Sequence, residues 1–336
     1  MSRALSGLGW EVLLVFILIG LVWFGASISP VFLSASNFSN LIAAGMEVAI
    51  VAIPMTLIVI AGEIDLSVES TVGLTSAVLG FLWAAGVPLQ VGIPLVLVMG
   101  ALGGLLNGVL VTRAGLPSLV VTLGTLALFR GLASVVLGPR AISNFPAEFN
   151  AFGFGNVPGT PIPWPLVVFA ILAVVVGTVL HRTWIGRHIY AVGKNQGAAR
   201  YSGVRVARLK IALFVLSGTI AALAGVILTS RLSSARADAG QGMTLAVVTA
   251  VLLGGVDIFG GSGTLGGVVL AVFTLAVLQN SLRLTDVSAQ LQSIAVGLLL
   301  IVSVVLPKVV RQIGERVNRS QRQPPRSPSL AKVISQ

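Results

Sequence analysis

The sequence predicts an all-α fold: a polytopic transmembrane helical bundle of about ten helices with an internal parallel pseudo-repeat. Three observations carry that expectation. Hydrophobic residues make up 56% of the 336-residue chain and charged residues only 9%, with a mean hydropathy of +1.01, whereas soluble domains carry about 25% charge. The apolar residues fall into runs of about twenty, the length that spans a bilayer as a helix. The charge is segregated, because His181 to Lys210 and the tail beyond Leu306 together hold 14 of the 21 lysines and arginines.

The first run, Trp10 to Ile28, follows a lone Arg3 and is interrupted only by Glu11. It is long for the apolar part of a signal peptide and has no clear small-x-small cleavage site, so it reads as a spanning helix that stays. Five more spans are expected at Leu41 to Ala61, Ser67 to Ala85, Val91 to Thr112, Ser118 to Leu137 and Trp164 to Leu180. Past the first basic block come Ile211 to Ser230, Thr244 to Phe259, Thr264 to Leu282 and Ala289 to Leu306. Six crossings return the chain to the side of Arg3, and four more return it there again. Parity thus puts both basic blocks and both termini on one side, and the bias of Lys and Arg makes that side cytoplasmic. The weak member is Thr244 to Phe259, with paired glycines inside and short enough to be broken or re-entrant. Residues 1–319 read as one transmembrane domain, with 181–210 its cytoplasmic loop and 320–336 a disordered basic cytoplasmic tail.

Glycines cluster within spans, as at Gly100, Gly103, Gly104 and Gly108, where small residues let helix backbones approach. Pro54 frees a backbone carbonyl inside the second span. The pseudo-repeat pairs AGEIDLSVESTVG, from Ala61 to Gly73, with LGGVDIFGGSGTLG, from Leu253 to Gly266. By parity both copies lie on the cytoplasmic side, the arrangement of a parallel repeat about an axis along the membrane normal. The aspartates of the two copies, Asp65 and Asp257, read as helix N-caps, with a part in coupling the less favoured alternative. Arg130 lies well inside a span, where charge is costly, so it faces protein or water. It either lines a pathway or ties helices through a carbonyl or acid. Between Gly138 and Pro163, Phe145, Phe149, Phe152 and Phe154 suit either an interfacial belt or a docking surface for an external partner.

Several chemistries lack their residues. There is no cysteine and there are two histidines, His181 and His188, both in the basic block, so a buried metal site has little to work with. The lone Gly193-Lys194 is followed by Asn195 and is no phosphate loop. The basic excess sits in loops and tail, which favours orientation over nucleic acid as its cause. Neither a catalytic set nor a row of buried acids for a proton relay is present, which leaves transport energised by another chain. The rival classes are a secondary carrier without an ATPase and a membrane enzyme.

Four stretches resemble one family in order along the chain: Gly62 to Ser67, GEIDLS; Leu116 to Gly131, LPSLVVTLGTLALFRG; Ala191 to Gly203, AVGKNQGAARYSG; and Leu253 to Gly263, LGGVDIFGGSG. They resemble the permease subunits of ATP-binding cassette importers of the ribose, xylose and arabinose type, which include the autoinducer-2 and rhamnose-like branch. The resemblance implies a second permease subunit, identical or related. It further implies two cytoplasmic ATPase subunits or one tandem ATPase chain, and a periplasmic or lipid-anchored binding protein. ATP and Mg would sit on the ATPase, with no cofactor in this chain. The basic loop becomes the coupling loop, with Gly193, Ala198, Ala199, Ser202 and Gly203 matching the ATPase-facing helix. Glu63 and Glu69 depart from the family, standing where glycine is usual. The cargo expected is a neutral sugar or sugar-like molecule such as autoinducer-2, crossing a bacterial inner membrane. Asn107, Gln279, Asn280 and Gln290 are candidate hydroxyl partners along the path beside Arg130, although membrane amides also tie helices together.

Overall fold

The computed structural model describes residues 2–303 and Val305, with side chains from Trp10 onward. Leu306, the basic tail and the 320–336 segment lie outside the described residues. The helices are α1 (Ser2–Ile28), α2 (Ala35–Ile60), α3 (Val68–Ala84), α4 (Leu89–Thr112), α5 (Ser118–Leu137), α6 (Ala147–Phe154), α7 (Trp164–Arg182), α8 (Trp184–Lys194), α9 (Gln196–Tyr201), α10 (Val206–Leu232), α11 (Met243–Leu253) and α12 (Leu265–Leu284), then α13 (Ala289–Ser303). Seven are long and apolar enough to cross a membrane, and α3, α11 and α13 are shorter apolar helices. These ten take the places of the ten expected spans, and α6, α8 and α9 lie between them.

α2 is the central post. It is apolar all round, as a helix enclosed by others must be, and nearly all of it from Met46 to Ile60 is buried against α7, α10, α11 and α12. Ser34 starts it by accepting from the Asn37 N–H at 3.2 Å. Pro54 lies buried within its continuous length. α10 packs most closely on α4, and glycine makes that contact possible. A Cβ on Gly104 would lie 2.1 Å from the Phe214 carbonyl oxygen, and one on Gly218 2.1 Å from that of Gly100. In lipid such backbone approach, more than side-chain hydrophobicity, holds helices together.

The ends of the bundle are set by a few contacts. Trp10 donates to the Leu253 carbonyl at 2.8 Å and Thr264 donates to Glu11 at 2.6 Å. The start of α1, the ends of α2 and α11, the start of α12 and the α8–α9 segment therefore share one end, called here the basic end. At the opposite end Asn37 and Asn280 exchange amide hydrogen bonds at 3.1 and 3.0 Å. Ile142 there pairs with Ala235 as an antiparallel bridge.

The expected span Thr244 to Phe259 is replaced by a half-helix. α11 has 11 residues, about 16 Å of helix against a hydrocarbon core of about 30 Å. The other half of the crossing is non-helical. Residues 235–240 run along α3: Ala235 touches Gly80, the Ala237 and Ala239 carbonyls touch Gly73, and Gly240 touches Val72. Below Leu253, Gly254 and Gly255 end the helix well before Phe259, with Gly255 at φ 83°. Irregular backbone at this depth is tolerated because one side of it packs on α3 and the other lines a cleft.

The aromatic segment between Gly138 and Pro163 folds inward over the end opposite the basic one. Trp83 stacks on Phe145 with centroids 5.9 Å apart, Phe145 meets Phe149 at 5.2 Å, and Trp83 donates to the Asn144 carbonyl at 2.8 Å. Phe145 and Phe149 are buried, so neither belongs to a belt or an outer docking face, whereas Phe154 is exposed.

Candidate functional site

Two clusters of polar side chains stand out from the apolar bundle, one at the basic end and one near its middle. At the basic end, α8 is amphipathic, with Gly186, Ile189 and Val192 buried, Arg187 exposed and His188, Tyr190 and Ala191 half-buried. Such a helix lies along an end face rather than across the membrane. Burial pushes the Tyr190 phenol above its ordinary value, so the group stays protonated and donates to the Gly263 carbonyl at 2.7 Å. Asn195 caps α9 by accepting from the Ala198 N–H at 2.9 Å. The helix stops at Gly203, whose φ of 84° is the left-handed conformation that glycine adopts without penalty.

The five expected coupling residues sit here in three different environments. Ala198, Ser202 and Gly203 are exposed on α9 and its cap. Ala199 is only 4% exposed and forms a small core with Val192 and Val206. Its side chain faces the bundle. Gly193 is wedged beneath, where a Cβ would lie 1.8 Å from the Ile60 carbonyl oxygen. That same carbonyl accepts from the Gly261 N–H at 2.8 Å. The basic loop, the Gly62 turn and the Gly260-Gly261 turn therefore meet at one point. Tyr201, absent from the expected set, is 97% exposed on α9.

A buried ion pair ties this end together. Lys210, on α10, pairs with Glu63 in the turn after α2, and its ammonium also donates to the Gln196 side-chain oxygen on α9 at 2.9 Å. The side chains of Lys210 and Glu63 are 7% and 13% exposed. A cavity of about 310 Å³ lies beside them, lined also by Thr112, Gly115 and Arg200.

The middle cluster begins at Asp65. Its Oδ1 accepts from the Ser67 N–H at 3.0 Å and hydroxyl at 2.6 Å, and its Oδ2 from the Ser217 hydroxyl at 2.8 Å. Asn107 donates to the Ser67 hydroxyl at 2.9 Å. Asp257, in the second turn, accepts from the Phe259 N–H at 3.0 Å. Both aspartates therefore shape turns through the N–H two residues on. The expected N-cap role is corrected: Thr264 caps α12 with its side chain, and the residue at the N-cap of α3 is Ser67.

One residue into α3, Glu69 pairs with Arg130 of α5 through Oε1. Through Oε2 it accepts from the N–H groups of Gly242 and Thr244 at 3.1 and 3.2 Å. A carboxylate at a helix N-terminus satisfies orphan donors and complements the helix dipole, so Glu69 is what anchors the mid-bundle start of α11. Arg130 is 40% exposed where Glu69 is 9%, and it lines a cleft of about 690 Å³.

The remaining path candidates are scattered. Asn107 belongs to the Asp65 cluster, Asn280 is paired with Asn37, Gln279 gives its backbone carbonyl to Arg283 at 3.4 Å, and Gln290 is exposed on α13. Of the five, Arg130 alone lines that cleft. Sequence reasoning marked Glu63 and Glu69 as departures from glycine but missed the cations they meet. It also missed the partner of Glu47, which is buried and accepts from Arg231 Nε at 2.6 Å.

Comparison with known proteins fixes the class. The family model described as branched-chain amino acid transport system / permease component matches residues 37–304. The autoinducer 2 import system permease protein LsrD of Yersinia enterocolitica (serotype O:8 / biotype 1B) is 39% identical over 312 residues, covering 88% of this chain and 91% of that one. The proteins of the same name from Yersinia pseudotuberculosis (serotype O:1b) and Yersinia pestis (strain Pestoides F) are each 38% identical over 310 residues, covering 88% of this chain and 90% of theirs. No solved structure matches. The chain belongs to this permease family and is the multi-pass, membrane-spanning permease component of an ATP-binding cassette importer.

Proposed function

We propose that the chain carries a small neutral sugar-like molecule of the autoinducer-2 kind into the cytoplasm, driven by ATP hydrolysed on a partner docked at the basic end. The observation that carries the cargo is the 38–39% identity to autoinducer-2 permeases across about nine-tenths of both chains. The coupling assignment draws support from α9. It is a capped helix standing at the bundle end, with Ala198 and Ser202 exposed beside Tyr201, and tyrosine is a favoured anchor in protein interfaces. In this reading Lys210 passes movement of α9, through Gln196, to Glu63 and so to the turn that leads into α3. Such a transporter works with a second permease subunit and a binding protein outside the membrane.

The test is autoinducer-2 uptake by cells with and without this subunit, together with ATP hydrolysis by the purified assembly. Uptake that needs both the subunit and ATP supports the reading. Equal uptake without the subunit removes the cargo assignment, and uptake without any ATPase revives a secondary carrier.

A further inference from the structure

The cleft beside Arg130 descends from the end opposite the basic loop toward the anchored start of α11. Gly138 to Ala141 form its outer lip, and Arg130 lies twelve residues into α5, about 18 Å from that helix's start. Its polar lining is Arg130, Ser134, Arg140, Arg236, Asp238 and Gln241. Arg236 holds Asp238 with two hydrogen bonds of 2.9 Å, which uses two of its five N–H donors. Arg130 is held by Glu69, and Arg140 has no acid partner among the described residues. Three guanidinium groups face one lining carboxylate and one behind it, so the cleft keeps a single net positive charge.

We propose that this cleft is a binding site for a polyhydroxylated small molecule and that it excludes cationic cargo. Rigid guanidinium forks, a carboxylate, an amide and a hydroxyl are the groups that hold adjacent hydroxyls in fixed orientation. The net charge repels cations without requiring an anion. Glu69 is the positioning residue of the site. One of its oxygens holds Arg130 at the cleft wall while the other holds the N–H groups of α11, so a ligand oxygen engaging Arg130 draws on the same carboxylate that anchors a half-helix. Occupancy of the cleft is thereby felt at the start of α11, which runs to the basic end where the ATPase is proposed to act. This deepens the proposed function and rests on it only for the cargo's identity.

The chain has no cysteine, so Gln241→Cys gives this subunit a single reporter, read on its own band from the assembled transporter in proteoliposomes. Its modification by a maleimide is to be measured with autoinducer-2, D-ribose and the cationic amino sugar galactosamine. Protection by autoinducer-2 or by ribose, and none by galactosamine, is expected. Arg140→Ala should raise the protecting concentration about tenfold, the loss of a charge-assisted hydrogen bond. Glu69→Gln should shift that concentration, because Arg130 loses the carboxylate that positions it, and should speed hydrogen exchange at Gly242 and Thr244 ahead of the rest of the bundle, which a purely structural role for Glu69 would not do. Absence of protection by either polyol, protection by galactosamine, or no shift with Arg140→Ala overturns the site. Protection by ribose alone, with no autoinducer-2 uptake, keeps the site and removes the cargo assignment.

Discussion

Glu63 and Glu69 lie six residues apart on either side of the same turn, and each has found a cation on a distant helix. The joints they make differ in enclosure. Lys210 is almost sealed, with Glu63 and Gln196 as its partners, and links three elements of the basic end. Arg130 is 40% exposed on a cleft wall. A sealed cation answers only to movements of the protein around it, whereas an open one also answers to whatever enters the cleft. The comparison assigns the first joint to transmission and the second to reading the cargo.

The largest effect is expected where the joint is sealed. Lys210→Met or Glu63→Gln alone strands a buried charged or polar group and should cost about 3–5 kcal/mol, read as a large drop in the thermal unfolding temperature of the purified protein. The double variant Glu63→Leu/Lys210→Met should recover most of that stability yet leave ATP hydrolysis poorly coupled to uptake. A stable and fully coupled double variant would break the distinction between the joints.

A smaller loss is expected at the open joint, because water can take over part of the solvation of Arg130. Glu69→Gln should cost about 1–3 kcal/mol, the range for losing a charged hydrogen-bond partner, and should loosen α11 specifically. Hydrogen exchange at Gly242 and Thr244 rising ahead of that in α10 would show it. An equal rise throughout the bundle would mean that Glu69 merely holds the fold together.

Asn195→Ala removes the cap of α9 and should cost about 1 kcal/mol, reducing ATP-coupled uptake without touching cargo protection of the cleft. Asn280→Ala, remote from both joints, sets the floor. Interhelical hydrogen bonds in membranes average about 0.6 kcal/mol, so uptake should hardly change.

Much of this architecture was legible in the sequence. Runs of apolar residues gave the helices in order because the bilayer sets their length, and clustered arginines picked out the α8–α9 loop. The shortness of the Thr244 to Phe259 run betrayed the broken crossing. Its true form stayed hidden, since nothing local says that residues 235–240 will lie along α3. The pairings of Glu63 with Lys210 and Glu69 with Arg130 were equally hidden. They join residues 147 and 61 positions apart, and only helix packing decides such neighbours. Ala199 matched a family position, but its inward direction depends on Val192 and Val206 lying beneath it.

The central claim is that the α8–α9 end faces the cytoplasm and carries the ATPase. The chain's lack of cysteine makes Ala198→Cys a clean probe of that exposed helix. An impermeant maleimide should leave it unmodified in intact cells, modify it in inverted membrane vesicles, and be blocked there when the ATPase partner is bound. Modification in intact cells from the outside would contradict the account.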